Sequence, residues 1–291
     1  MNKNGNALRF ARGHGLGNDY LVIERGDLPW PLHVERIRLI CDRHRGIGSD
    51  GVLIAEIAPR FGLCIYNPDG SEAEKSGNGL RIFGAYLYGR GHVQLNEWFE
   101  VTLVKDTVRM CIEEQLAWGA LQIRVELGRA SFRGEDAGFT LERGAIRAYD
   151  IELADGSRAQ INPLSLANPH CVVFVEQLER GDFLRRAPQL CAHTAFPQGT
   201  NVQFARVADR QSLQAWIWER GVGETLASGS SAAAVAAAAL HNDQIDAGLI
   251  AVHMPGGTAE IEISTDYQVK LRAPAQIILE GSVRAEVAAG W

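Results

Sequence analysis

Short runs in which apolar and polar positions alternate cover most of this chain, and a few helix-like segments interrupt them. Val202-Gln203-Phe204-Ala205-Arg206-Val207 shows the pattern: period-two spacing with β-branched residues, as a half-buried strand requires. The same reading predicts a β-rich opening over 8–23, a helix near 33–44, strands over 51–57 and 63–66, a helix over 80–88 and a strand over 98–104. A second series then repeats that order. It has β-rich segments over 121–127 and 147–174, a helix over 183–193, strands over 201–207 and 214–218, a helix over 232–240 and a strand over 258–263. The closing stretch, 277–287, reads as one or two strands that return to pack on the first series.

The two series keep a nearly constant spacing. Ser76-Gly77-Asn78-Gly79 and Ser228-Gly229-Ser230-Ser231 each precede a helix and lie 152 positions apart. Asn18-Asp19-Tyr20 answers Asn168-Pro169-His170 at 150, and Gly48-Ser49-Asp50-Gly51-Val52 answers Gly199-Thr200-Asn201-Val202-Gln203 at 151. Asn67 answers Glu219 at 152. A constant offset predicts two copies of one unit, related by a pseudo-twofold axis. Such a pair can offer equivalent groups to opposite faces of one ligand, the geometry that an inversion of stereochemistry needs. The predicted domains are 1–124 with 276–291, and 125–275; Arg124-Val125-Glu126 begins the new β run.

Composition narrows the function classes. The 291 residues have room for two domains, each with its own core, and 46% hydrophobic with 22% charged residues is the mix of a soluble globular protein. A net charge of −6 gives no reason to expect nucleic acid or an anionic membrane as partner. Met-Asn-Lys-Asn-Gly-Asn lacks the apolar stretch of a secretory signal, and no run approaches the length of a membrane span. Five cysteines, odd in number and without CxxC spacing, argue against a disulfide framework or a zinc site and suit a reducing cytoplasm. The eight histidines are scattered and HExxH is absent, so no metal is expected.

Gly46-Ile47-Gly48-Ser49-Asp50-Gly51 fits the dinucleotide pattern GxGxxG, but it follows a helix and precedes a strand, the reverse of what a phosphate-binding turn requires. Neither GxxxxGK[ST] nor GxSxG occurs. The Ser-Gly turns carry more. Small residues before a helix leave backbone N–H groups at its positive end, and two such ends aimed at one point would cradle a carboxylate. Either serine alone reads as a plain N-cap. Their repetition, with polar Asn67, Asn168, Asn201, Glu219 and Arg220 at matching places, favours a ligand site.

Six segments then share one resemblance. Gly13-His14-Gly15-Leu16-Gly17-Asn18-Asp19, Arg43 to Gly51, Asn67-Pro68-Asp69-Gly70-Ser71-Glu72, Ser76 to Gly79, Asn168-Pro169-His170-Cys171-Val172 and Glu219 to Thr225 resemble the diaminopimelate epimerase family, in its order, from about residue 9 to the C-terminus. The resemblance implies an α/β (α+β) fold of two pseudo-symmetric domains, each a barrel-like, mostly antiparallel sheet around a central helix. It also implies an isomerase of lysine and cell-wall biosynthesis that works without pyridoxal phosphate, metal or nucleotide, in the cytoplasm and as a homodimer. Its ligand would be a small amino acid with two carboxylates, and no nucleic acid or membrane would take part.

One departure stands out. The resemblance implies catalytic cysteines where this chain has Ser76 and Ser228, one taking a proton from the substrate Cα and the other returning one to the far face. A thiol, with a reference pKa of about 8.5, comes into working range at a helix N-terminus, whereas a hydroxyl needs a strong neighbouring base. His170 and Glu219 would tune proton transfer. Backbone groups of Gly77, Asn78, Gly229 and Ser230 would hold the reacting carboxylate, and Asn18, Asn67, Asn168, Asn201 and Arg220 the distal end. Gly51 stands where some members carry glutamine. Three accounts of the paired serines stay open: a double Cys→Ser substitution in an ordinary epimerase, a divergent isomerase or dehydratase using His170 or Glu219 as base, and an amino-acid-binding descendant.

Overall fold

The computed structural model describes residues 7–291; the amino-terminal hexapeptide, read above for a secretory signal, lies outside the described residues. The chain divides into two compact units, Met1–Val125 with Pro274–Trp291 and Glu126–Ala273. Both are sheet-dominated α+β units with a buried helix. Among the described residues, no helix is long and apolar enough to cross a membrane.

In unit 1 the order is β1 (Leu8–Gly15), β2 (Asn18–Glu24), α1 (Val34–Cys41), β3 (Val52–Glu56), β4 (Gly62–Tyr66), β5 (Glu72–Ala73), α2 (Gly77–Gly89), β6 (Trp98–Thr102) and β7 (Thr107–Gln115), with β8 (Leu121–Arg129) entered at its end. In unit 2 it is β9 (Tyr149–Glu152), β10 (Arg158–Ser165), β11 (Pro169–Phe174), α3 (Arg180–Cys191), β12 (Asn201–Asp209), β13 (Ser212–Glu219), β14 (Gly223–Thr225), α4 (Gly229–His241), β15 (Gly248–Met254) and β16 (Gly257–Ile263). Then β17 (Gln268–Val283) carries the chain back to unit 1, where α5 (Ala285–Ala289) ends it.

The repeat read from spacing is a repeat of topology. β2 pairs parallel to β3 with Leu21 opposite Val52, and β11 pairs parallel to β12 with Cys171 opposite Val202. Both members of the second pair lie 150 positions beyond the first. The neighbours follow suit: β3–β4 and β12–β13 are antiparallel, β4–β6 and β13–β15 parallel, β6–β7 and β15–β16 antiparallel. By this register Gly51, rather than Asp50, is the counterpart of Asn201.

Helix character decides the layers. α1 buries Ile37, Ile40 and Cys41, one stripe at helical spacing, against Leu21, Ile23, Val52 and Ile54. α3 does the same in unit 2 with Phe183, Ala187 and Leu190, and Phe183 meets Phe204 and Trp216 edge-on. α2 and α4 are instead buried around their whole circumference, from Gly77 to Leu87 and from Gly229 to Ala239. A helix apolar on every side has to be central, and the run Ala232 to Ala239 keeps α4 thin enough for strands to pack around it.

The tail departs from expectation. β17 pairs with β1 as far as Val283, and 285–289 is then a short helix instead of strand. Ala288 is buried in the α1 core, its carbonyl accepting from Trp30 Nε1 at 2.7 Å, while Arg36 Nε donates to Trp291 O at 2.9 Å. β-branched Ile277 and Ile278 suit a strand, but Ala285-Glu286-Val287-Ala288-Ala289 has helix-forming composition and an apolar seat to dock into.

Candidate active site

Ser76 caps α2. Its backbone is extended (φ −135°, ψ 117°), so the hydroxyl can fold back, and Oγ accepts from Gly79 N–H at 3.1 Å. The same hydroxyl lies 3.4 Å from Tyr20 Oη. Neither partner is a base. Gly77 and Asn78, at the positive end of the helix, are buried beside it.

The side chains below that turn form a chain of fixed polarity within unit 1. Arg81 Nη2 donates to Asn78 Oδ1 at 2.8 Å, Asn78 Nδ2 to Asn18 Oδ1 at 2.8 Å, and Asn18 Nδ2 to Asp50 Oδ2 at 2.9 Å. Arg43 bridges Asp50 and Asp19, each at 2.7 Å, and Arg12 Nη2 also reaches Asp19 at 2.7 Å. Asn18 and Asn78 lie side by side, their amides engaged by protein. Asn67 stands apart, in the turn after β4, donating to Ser71 Oγ at 3.0 Å.

Gly51 is bare for a steric reason. A Cβ there would lie 2.5 Å from the Tyr20 ring and 2.6 Å from Tyr66 O, distances no side chain tolerates without moving backbone. A longer side chain at this position has no room, because the Tyr20 ring fills the space.

In unit 2, Ser228 caps α4 with the same extended backbone (φ −144°, ψ 125°). Its Oγ accepts from Ser231 N–H at a long 3.5 Å and lies 3.4 Å from Ser230 Oγ. Again neither partner is a base. Ser231 Oγ accepts from Gln203 Nε2 at 3.0 Å, the same amide donates to His170 Nδ1 at 3.1 Å, and His170 Nε2 lies 2.9 Å from Asn168 Oδ1. A donor on Nδ1 and an acceptor at Nε2 leave one tautomer: neutral imidazole with its proton on Nε2. Burial, reinforced by the Arg220 cation, pushes the ring down to about 3, so His170 is neutral at physiological pH with both nitrogens engaged.

Asn201, opposite His170 in the β11–β12 ladder, donates to Pro169 O at 3.0 Å and accepts from Arg220 N–H at 3.0 Å. Arg220 Nη1 donates to Gln198 O at 3.1 Å, and this guanidinium has no carboxylate partner among the described residues. Glu219 ends β13 opposite Gly223. Gly229 and Ser230 are buried in the first turn of α4.

Four of the cysteines are poorly disposed to ionise. Burial pushes Cys41 up to about 11 and raises Cys111, Cys171 and Cys191 as well, which disfavours their thiolates. Residues that the sequence did not mark as part of a site include Tyr20, Arg81, Gln203 and Ser231. Arg81 carried a signal, a lone charge within Leu80 to Leu87; Gln203 carried almost none.

The sequence model of the family described as diaminopimelate epimerase matches residues 10–133 and 164–277. The chain belongs to the diaminopimelate epimerase family. It is 39% identical over 283 residues to diaminopimelate epimerase 2 of Nostoc sp., covering 96% of this chain and 97% of that protein. The diaminopimelate epimerase of Desulfitobacterium hafniense is 33% identical, over 94% of this chain and 97% of its own. Among solved structures, a probable proline racemase from Agrobacterium radiobacter superposes with a TM-score of 0.70 at 14% identity, covering 95% of this chain and 93% of that one. A predicted epimerase from Pseudomonas aeruginosa gives 0.65 at 17% identity, over 95% and 99%. These two likenesses speak for the fold.

Proposed function

We propose that the chain is a cofactor-independent epimerase that interconverts LL- and meso-diaminopimelate for lysine and peptidoglycan precursor synthesis, with proton transfer slowed by serine at both acid/base positions. Full-length kinship to proteins of that name carries this reading. Ser76 and Ser228 hold the positions from which one proton is taken and another returned. The first-turn N–H groups at Gly77, Asn78, Gly229 and Ser230 bind the reacting carboxylate and stabilise the charge that develops as the Cα proton leaves. Arg220, lacking a carboxylate of its own, takes the distal one, and its N–H bond to Asn201 fixes the turn that presents it. His170 acts as a neutral, fixed polar group rather than a free base. The enzyme works in the cytoplasm as a homodimer.

Two measurements test this. In deuterated water, LL-diaminopimelate should show little Cα exchange while calorimetry still detects its binding. Exchange at the rate of a cysteine-bearing relative would mean that serine suffices. Diaminopimelate should be preferred to lysine by roughly 100-fold, about 2.7 kcal/mol, because lysine leaves Arg220 unpaired. Arg220→Ala should erase most of that preference; equal affinities in the unaltered protein would sink the substrate assignment. The N-cap hydroxyls, neither in contact with a base among the described residues of its own unit, favour a second reading as an amino-acid-binding protein or a divergent isomerase or dehydratase. Tight binding with no exchange after long incubation would select the binding protein.

A further inference from the structure

Arg81 is fully buried in the first turns of α2, and burial pushes its guanidinium down to about 9, still protonated at neutral pH. Its Nη2 bonds Asn78, while Nε and Nη1 have no partner among the described residues. β1 ends against it: a Cβ at Gly15 would lie 2.8 Å from Nη2, so glycine is what lets the guanidinium sit there. Along the chain below the Ser76 turn, the three guanidiniums of Arg12, Arg43 and Arg81 meet two carboxylates among the described residues, Asp19 and Asp50. One positive charge is uncompensated, and it is the buried one. An isolated buried cation is expensive, and a site that gains nothing from it would carry an apolar residue instead.

The chain also has only one possible polarity. Arginine can only donate, so Asn78 Oδ1 must accept; Asn78 Nδ2 then donates to Asn18, whose own Nδ2 donates to Asp50 Oδ2. The donor-only head fixes both amides.

We propose that Arg81 is a positioning residue of the first helix cap: its buried, unpaired guanidinium sets the orientation of Asn78 and Asn18 and lends the Gly77–Gly79 turn a fixed positive charge, so that the turn selects a carboxylate over a neutral group. The second half rests on the reading of that turn as a carboxylate cradle. Full-length Arg81→Met, Arg81→Gln and Arg81→Lys variants separate the parts. In ligand-free protein, NMR should show the side-chain amides of Asn78 and Asn18 exchanging faster and shifting in Arg81→Met, with Arg81→Gln and Arg81→Lys restoring them. Unchanged amides in Arg81→Met overturn the positioning role, whatever the ligand; should that variant fail to fold, failure of Arg81→Lys to hold the amides overturns it equally. In calorimetry, losing the charge in Arg81→Gln should weaken meso-diaminopimelate binding about 10-fold or more, with Arg81→Lys within about 3-fold, and binding of the diaminopimelate diamide, which has no carboxylate, should not weaken. Equal weakening in Arg81→Lys and Arg81→Gln, or none, overturns the charge role. No binding by the unaltered protein overturns the diaminopimelate reading and the selectivity claim with it, and the amide measurements alone then decide the positioning role.

Discussion

The two helix caps of this protein share a backbone and differ in chemistry. Ser76 and Ser228 stand at the same point of the same topology, with extended N-cap backbones that agree within about 10°. Below Ser76 runs a charged chain, Arg81–Asn78–Asn18–Asp50–Arg43. Below Ser228 runs a neutral one, Ser231–Gln203–His170–Asn168. By register, Tyr20 corresponds to His170 and Leu53 to Gln203, while Gly79 answers Ser231. Where unit 2 joins Gln203 to Ser231 by a hydrogen bond, unit 1 packs Leu53 against Gly79, where a Cβ would meet Leu53 Cδ2 at 3.0 Å. Duplication therefore preserves the strand pairing and the cap, which depend on backbone, and leaves each buried environment to be solved by its own side chains.

The comparison breaks most visibly if both caps are made reactive. Ser76→Cys with Ser228→Cys should raise epimerisation by roughly 1,000-fold or more, and each single change should give far less, since inversion needs a competent group on either face. An inactive double variant that still folds and binds diaminopimelate would show that the pocket has diverged elsewhere. At Gly51 the expected effect is on stability. Gly51→Gln should cost about 3 kcal/mol by urea denaturation, because its side chain meets the Tyr20 ring and Tyr66 O, while unit 2 accepts Asn201 at the equivalent place. A loss below 1 kcal/mol would mean that Tyr20 moves aside easily.

Gln203→Leu transplants the unit 1 solution and should cost about 2 kcal/mol, since buried His170 Nδ1 and Ser231 Oγ lose their donor. Adding Ser231→Gly should recover part of it, and the double-mutant cycle measures the coupling. The smallest effect is a slope. His170 is held down at about 3 against an unfolded value of about 6.5, so below pH 6.5 the unfolded chain binds a proton that the folded one refuses. Its contribution is whole above pH 6.5 and drains away as the pH falls toward 3, at roughly 1.4 kcal/mol per unit. His170→Gln should flatten that part of the profile measured between pH 7 and 5. An unchanged slope would show that other groups set it.

Much of this was legible because it is local or periodic. The 150-residue offset, the alternation of Val202 to Val207 and the small residues ahead of two apolar runs are written in one dimension, and they determined the strands, the two central helices, the duplication and the N-cap serines. The family, with its substrate class, was carried by short polar segments whose order survives whatever their packing. What only the tertiary structure decided are the pairings between distant residues. Nothing in the sequence says that Arg81 is sealed without a carboxylate, that Tyr20 fills the space over Gly51, or that Gln203 ties His170 to the cap of α4. The physical reason is that the energy of a buried polar group lies in its partners and in the water it has lost, and both are set by which strands and helices meet around it.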